Sequence, residues 1–280
     1  MERVAITGAT GYIAEALIRE LISKGIKVNA IARNEGKLVE LKSKFREIDI
    51  YPCPIEDLYL LKKATNGCDG IFHLAALKDV VIAAENPLKT VQTNIIGTLN
   101  LLNISVENKS IRFVITTSTD KVTKVSGIYS ASKLIAEGLF EDFERINSVN
   151  CKYRIVRFGN VFYSTGSVLT KWKDAIQNQR ELIITDPEAT RFFWTREDAV
   201  QLLFDCLENS KSSEPLIPKM RATSMGVLLE LMIEKYGQGN LYDIKTIGMQ
   251  KGENLHEYHA DNNSSLDAPK WSREELYNIL

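Results

Sequence analysis

The sequence predicts an α/β protein: a doubly wound parallel sheet in the N-terminal half with a smaller C-terminal lobe. Two observations carry that prediction. Short apolar runs alternate with longer segments of helical period up to about residue 158, and the pattern then changes to shorter, turn-rich elements. Alternating strand and helix gives parallel strands joined by right-handed crossovers, with helices over both faces.

Residues 4–6, 28–31, 70–74, 113–116 and 153–156 are apolar, too short for helices and bounded by Gly, Asn, Asp or Lys, so each reads as a buried strand. Residues 14–23, 58–64, 87–106 and 129–146 repeat their apolar positions as helices covering a sheet do. Past Phe158 come Gly159, the turn-like Tyr163-Ser-Thr-Gly166, a helix near 168–177 and the turn Asp186-Pro187. A helix over 197–207 is placed to return to the main sheet, followed by a short strand at 215–218, a helix over 224–236 and a strand over 241–247. Residues 1–158, with 194–218, are therefore expected to form one unit, and 159–193 with 219–280 a second. No internal repeat and no linker rich in Gly or Ser separates them, so the two lobes are expected to pack around a cleft.

The chain has 280 residues, 44% hydrophobic and 25% charged, the composition of a globular protein able to bury a core. Thirty-five Lys and Arg balance 36 Asp and Glu without a dense basic run, which argues against a nucleic-acid partner. Cys53, Cys68, Cys151 and Cys206 lie far apart without metal-ligand spacing, so no metal site or disulfide framework is expected. The N-terminus opens directly into a strand, and no apolar run approaches the ~20 residues of a membrane span. A cytoplasmic protein without membrane contact is the expectation.

Thr7-Gly8-Ala-Thr-Gly11-Tyr-Ile-Ala14 follows the first strand and opens the first helix, the context of a dinucleotide-binding loop. Gly8 permits the tight turn, Gly11 lets backbone approach a pyrophosphate at the helix N-terminus, and Ala14 allows close helix packing. Thr10, Tyr12 and Ile13 are carried with this loop as cofactor contacts. At the end of the second strand stand Arg33 and Lys37, cations suited to a ribose 2′-phosphate, which favours NADP over NAD. Tyr129 and Lys133 are spaced i and i+4 on one helix face, where an ammonium can stabilise a phenolate and lower the tyrosine pKa. Ser118-Thr119-Asp120-Lys121 ends the preceding strand, and strand carboxyl ends line the ligand crevice of such a sheet.

Taken together, the glycine loop, Thr119-Asp120-Lys121 and Tyr129-xxx-Lys133 resemble the extended short-chain dehydrogenase/reductases of Rossmann fold, and within them the C5-inverting UDP-N-acetylglucosamine 4,6-dehydratases. The likeness covers nearly the whole chain, including His73-Leu-Ala-Ala-Leu-Lys78, Asn86-Pro87, Thr93-Asn94, Arg157-Phe-Gly-Asn160, Gly166-Ser-Val168, Thr190-Arg191-Phe192, Pro218-Lys219 and Gly252-Glu253-Asn-Leu-His256-Glu257. The triplet is the specific element, because retaining dehydratases carry an acid where this chain has Lys121.

The resemblance implies a reaction. Tyr129, helped by Thr119 and Lys133, would take the 4-hydroxyl proton as hydride leaves C4 for NADP. Lys121, its pKa lowered, would take the C5 proton while protonated Asp120 gives its proton to the departing 6-hydroxyl. Hydride returning to C6 completes a redox-neutral dehydration. Ala75 and Ala76 would pass close to the cofactor ribose, and Lys78, Asn160, Arg191 and Glu253 are the substrate-side candidates. His73 reads as a packed, hydrogen-bonded histidine. The apolar faces of 87–106 and 129–146 read as core and subunit interface, and a homo-oligomer is expected by analogy.

The chain departs from the family pattern at Pro54, where an aspartate usually stands near adenine. It departs again at Thr165 in the turn ending at Gly166, at Gln250 and Lys251 in place of arginine-proline, and at Asn254. The stretch beyond Trp271 is short for the family, so some C-terminal contacts are expected to be missing. Two other readings stay open: a 4-epimerase or a dehydratase of another nucleotide sugar, which would share Tyr129 and Lys133, and a non-catalytic dinucleotide sensor.

Overall fold

A computed structural model describes residues 1–146, 151–250, 252–260 and 263–280. The first lobe runs β1 (Arg3–Thr7), α1 (Tyr12–Ser23), β2 (Lys27–Ala32), α2 (Glu35–Lys44), β3 (Asp49–Pro52), α3 (Leu58–Thr65), β4 (Gly70–His73), α4 (Val80–Glu85), α5 (Pro87–Thr90), α6 (Gly97–Glu107), β5 (Phe113–Thr119), α7 (Ile128–Ile146) and β6 (Lys152–Phe158). The strands pair in parallel in the order β3-β2-β1-β4-β5-β6. That is the doubly wound order, with its reversal between β1 and β4. The predicted fold class is the one observed.

Strand alternation explains why both faces must be covered. On β1, Val4 and Ile6 join one core, shared with Leu17, Ile18 and Leu21 of α1, while Ala5 between them joins the other, with Leu61 of α3 and Leu101 of α6. Phe113 and Ile115 of β5 face the first core and Val114 the second. Phe72 sits edge-on to Phe113, with ring centroids 5.4 Å apart. The four cysteines are buried and unpaired.

Three local features differ from the periodicity. Strand β3 was not marked by an apolar run because it is a partly exposed edge that ends in a proline. The helix expected over 87–106 is interrupted by a π turn at Val91–Ile96, whose wider hydrogen bonding leaves apolar spacing almost unchanged. The expected strand at 215–218 reduces to one bridge, Leu216 against Val156, since a proline on each side of the pair Leu216-Ile217 removes ladder donors.

Beyond β6 the chain continues through β7 (Asn160–Val161), α8 (Val168–Gln177), β8 (Leu182–Ile184), β9 (Thr190–Trp194), α9 (Arg196–Asn209), β10 (Arg221–Ser224), α10 (Met225–Tyr236), β11 (Ile244–Thr246), β12 (Tyr258–Ala260), β13 (Asn263–Ser264) and α11 (Arg273–Ile279), which apart from α9 make up the second lobe. β9 lies between antiparallel β10 and parallel β7, and a separate core gathers Phe162, Trp172, Phe193 and Met232. α9 instead packs its Leu203 and Cys206 into the core of the first lobe. Among the described residues, no helix is long and apolar enough to cross a membrane.

Candidate active site

The glycine loop leaves β1 with Gly8 at φ +68°, a conformation glycine adopts freely. A Cβ there would stand 2.8 Å from the Ala75 backbone nitrogen, so the loop and the segment after β4 press together at this point. Gly11 caps α1 with ordinary extended dihedrals and no side-chain cap, which leaves the first-turn N–H groups open to an anion. A Cβ on Gly11 would meet only the Gly8 carbonyl, at 3.0 Å. These features fit a dinucleotide pyrophosphate. Thr10 is half-buried beside them, Ile13 packs on the core, and the Tyr12 ring carries the Arg196 guanidinium 4.8 Å from its centroid.

Arg33 and Lys37 are exposed beyond β2, and among the described residues neither forms an ion pair. Pro54 is half-buried in the turn after β3, where its carbonyl accepts from the Asp57 N–H. Ala75 and Ala76 are half-buried, and Lys78 is exposed on the loop that follows. That loop is held by Asn94, whose amide donates to the Leu77 carbonyl and accepts from the Leu77 N–H at 2.7 Å. Asn94 lies within the π turn. His73 is enclosed by Thr7 and Thr98 hydroxyls, 2.8 and 2.9 Å from its two ring nitrogens. Burial, with nearby Lys133, pulls its pKa down to about 3, so the ring is neutral.

At the carboxyl end of β5, Thr119 donates to Asp120 Oδ1 at 2.9 Å and Lys121 Nζ lies 3.3 Å from the same oxygen. The second lobe brings Glu257 to the other side of that ammonium, at 3.1 Å, with Arg191 Nε 3.6 Å from the same Glu257 oxygen. Four charges of alternating sign thus share one buried site. Ser118 Oγ, Asp120 Oδ2 and Glu257 Oε2 are buried here without hydrogen-bond partners. Orphaned polar atoms of this kind are groups that a ligand can satisfy.

Burial raises the Asp120 carboxyl above its usual range and Glu257 adds to this, while Lys121 and Thr119 oppose it. A protonated acid is thereby favoured. For Lys121, burial works downward but Asp120 and Glu257 more than offset it, so the ammonium is held above the ordinary lysine value. This corrects the expectation of a lowered Lys121 pKa, because the sequence showed the neighbouring cations but not two carboxylates closing on one ammonium. Tyr129 is likewise raised, not lowered. Burial pushes the phenol up and Asp120 adds to it, against Lys121 and the Thr119 hydroxyl. Lys133, buried one helical turn on, is itself brought down to about 8 by burial despite Glu137.

Of the substrate-side candidates, Arg191 is drawn into this cluster and also donates to the Leu255 carbonyl at 3.0 Å. Asn160, on β7, donates to the Phe192 carbonyl at 3.4 Å. Glu253 engages its own loop, accepting from the Gln250 N–H at 3.1 Å. Lys251 lies outside the described residues; Thr165 and Gln250 are exposed. Glu257 was not singled out, although its segment was. Two glutamates four residues apart in an irregular segment carry no periodicity to say which one turns inward.

Residues 4–275 match the family described as polysaccharide biosynthesis protein. The UDP-N-acetylglucosamine 4,6-dehydratase (inverting) of Campylobacter jejuni strain 81-176 is 31% identical over 91% of this chain and 76% of its own length. A UDP-glucose 4-epimerase of Rickettsia canadensis is 29% identical over 90% of this chain and 75% of its own. A protein of Methanocaldococcus jannaschii, described as an uncharacterised membrane protein, is 34% identical over 91% of the chain and 79% of its own. The X-ray structure of Pen from Bacillus thuringiensis superposes with a TM-score of 0.88 at 31% identity, covering 91% of this chain and 80% of that one. With its sheet order, its cluster at the end of β5 and a match that spans almost its full length, this chain belongs to the polysaccharide biosynthesis protein family.

Proposed function

We propose that the protein is an NADP-dependent nucleotide-sugar 4,6-dehydratase, that UDP-N-acetylglucosamine is its substrate, and that C5 is inverted. The observation that carries the proposal is a buried carboxyl beside a half-buried lysine, Asp120 and Lys121, 3.3 Å apart at the carboxyl end of β5. Oxidation and reduction at C4 alone need no such pair, whereas removal of water across C5 and C6 needs both an acid and a base. The glycine loop, Tyr12, Ile13, Ala75, Ala76, Arg33 and Lys37 would hold the dinucleotide, with Lys133 at its ribose. When bound, the dinucleotide supplies the hydride acceptor for C4 and the donor for C6.

Tyr129, in its phenolate form, takes the 4-hydroxyl proton, and the resulting 4-ketone acidifies C5. The Lys121 amine takes the C5 proton as Asp120 gives its own to the departing 6-hydroxyl. The two protons then held by Tyr129 and Lys121 are those that C5 and Asp120 take back. Arg191, Asn160 and Lys78 provide polar contacts for the nucleotide sugar. In this reading 1–158 with 194–218 serves the dinucleotide, and 159–193 with 219–280 the sugar nucleotide. Leu88 of α5, Val91 and Ile96 of the π turn and Leu134 and Ile135 of α7 are exposed, which supports a homo-oligomer.

The test is incubation of the purified protein with UDP-N-acetylglucosamine in deuterated water without added reductant, followed by NMR and mass spectrometry. A 4-keto-6-deoxy sugar carrying deuterium at C5 is the expected product. Formation of the C4 epimer without loss of water would overturn the proposal in favour of a 4-epimerase. That second reading draws support from the raised Lys121 pKa, which leaves the lysine mostly an ammonium.

A further inference from the structure

Glu257 belongs to the second lobe, yet its carboxylate ends in the charge cluster of the first. It is 1% exposed and is clamped at both backbone ends. Its N–H donates to Ser265 Oγ at 2.9 Å, and its carbonyl accepts from the Ser265 N–H at 2.8 Å. Ser265 Oγ in turn donates to the Thr190 carbonyl at 3.0 Å, and Thr190 also meets His256 Nδ1 at 2.8 Å. The segment is thus tied to the start of β9, and a buried carboxylate so placed cannot swing out to solvent.

Among the described residues, Asp120, Glu257, Arg191 and Tyr129 are the charged or titratable groups whose electrostatics act on, or respond to, Lys121. Two carboxylates face that one ammonium from different lobes, Asp120 at 3.3 Å and Glu257 at 3.1 Å. Only the first is needed as an acid by the elimination. Glu257 has Arg191 on its far side, Nε 3.6 Å from the oxygen that meets Lys121.

We propose that Glu257 is a positioning residue for the C5 proton transfer: it aims the Lys121 nitrogen and stabilises the charge that develops on it. The proposal rests on the dehydratase reading for the step it serves. In that step the Lys121 lone pair takes the C5 proton and the C5–H electrons form the C5–C6 double bond. The C6–O bond breaks, and the departing oxygen takes the Asp120 proton and leaves as water. One proton has moved from Asp120 to the leaving group and one from C5 to Lys121, so the site passes from neutral amine and acid to ammonium and carboxylate. Glu257 stabilises the ammonium as it forms, which makes Lys121 a stronger base. Asp120 and Lys121 titrate as one coupled pair whose active form holds a single proton, so a neighbouring negative charge raises both of its macroscopic pKa values.

The experiment pairs Glu257→Gln, which keeps shape and hydrogen bonding but removes charge, with Glu257→Asp, which keeps charge but withdraws it from Lys121. Trace acetylation across a pH series, read by peptide mass spectrometry, reports the Lys121 midpoint without any substrate. In Glu257→Gln the midpoint falls by about one unit or more, as loss of an opposite charge at this range requires. Glu257→Asp falls by less. In turnover, both limbs of the Glu257→Gln kcat profile move to lower pH and the plateau drops about 100-fold, with KM little changed. Loss of kcat with neither limb nor midpoint moved, at an unchanged melting temperature, would mean a packing role and overturn the proposal. If the midpoint moves but the wild type yields no dehydrated sugar, the dehydratase reading fails while the control of Lys121 by Glu257 stands.

Discussion

Adding one methyl group separates two kinds of glycine in the loop after β1. At Gly8 the new Cβ would sit 2.8 Å from Ala75 N and 2.9 Å from both Ala75 Cα and the Leu74 carbonyl carbon, all backbone atoms that cannot turn aside. The φ of +68° adds a left-handed penalty of about 1–2 kcal/mol for a residue with a side chain. Overpacking against fixed backbone costs roughly 1–3 kcal/mol more, so Gly8→Ala loses about 2–5 kcal/mol of stability. At about 2–4 °C per kcal/mol, the melting temperature falls by roughly 4–20 °C.

Gly11→Ala has a smaller cost. Its φ of −82° and ψ of 160° suit any residue, and the new Cβ meets only the Gly8 carbonyl oxygen, at 3.0 Å. Its stability loss should stay under about 1 kcal/mol, while a pyrophosphate seated on the N-terminus of α1 loses its close approach and NADP affinity falls at least about tenfold. Thermal scans by circular dichroism and titration calorimetry with NADP read the two quantities separately. A Gly8→Ala protein melting within about 2 °C of wild type would refute the packing argument, and unchanged affinity in Gly11→Ala would refute the placement of the pyrophosphate.

Arg33→Ala should raise the Kd for NADP about tenfold and leave that for NAD within about twofold, since only the former carries a 2′-phosphate to pair; equal losses for both would count against the NADP assignment. Lys121→Ala is expected to abolish dehydration while transient absorbance of the reduced nicotinamide still reports oxidation at C4, and full turnover by that variant would favour an epimerase. Tyr129→Phe removes the phenol, and kcat should fall about 100- to 10,000-fold with the melting temperature unchanged. His73, held neutral with a pKa depressed to about 3, binds its proton more readily once unfolded. Its contribution is complete above pH ~6.5 and shrinks as pH falls toward ~3, by about 3 kcal/mol at pH ~4.5. Urea unfolding of wild type and His73→Asn at pH ~7 and ~4.5 should show the steeper acid loss in wild type, and parallel losses would refute the buried-neutral assignment.

The first lobe was legible because its strands are buried on both faces. Val4, Ala5 and Ile6 all had to be apolar, and Gly8 and Gly11 had to follow them, so local pattern and tertiary role coincide. Where one face meets solvent the signal weakened. The edge strand β3 and the short strands of the second lobe, such as β10, mix polar with apolar residues, and their register comes from neighbours distant in sequence. The π turn at Val91–Ile96, which includes Asn94, carries no apolar signature that sets it apart from the helix around it.

The sequence by itself determined the doubly wound class, the glycine loop at the end of β1 and the grouping of Thr119, Asp120, Lys121, Tyr129 and Lys133 near one strand end. Each of these depends on residues close together in the chain. Tertiary structure alone decided the electrostatic surroundings of that group. Glu257 lies 136 positions beyond Lys121 in the numbering, and only packing of the second lobe brings its carboxylate within 3.1 Å of the ammonium. Electrostatic energy depends on distance and burial, and neither is written in the order of the residues.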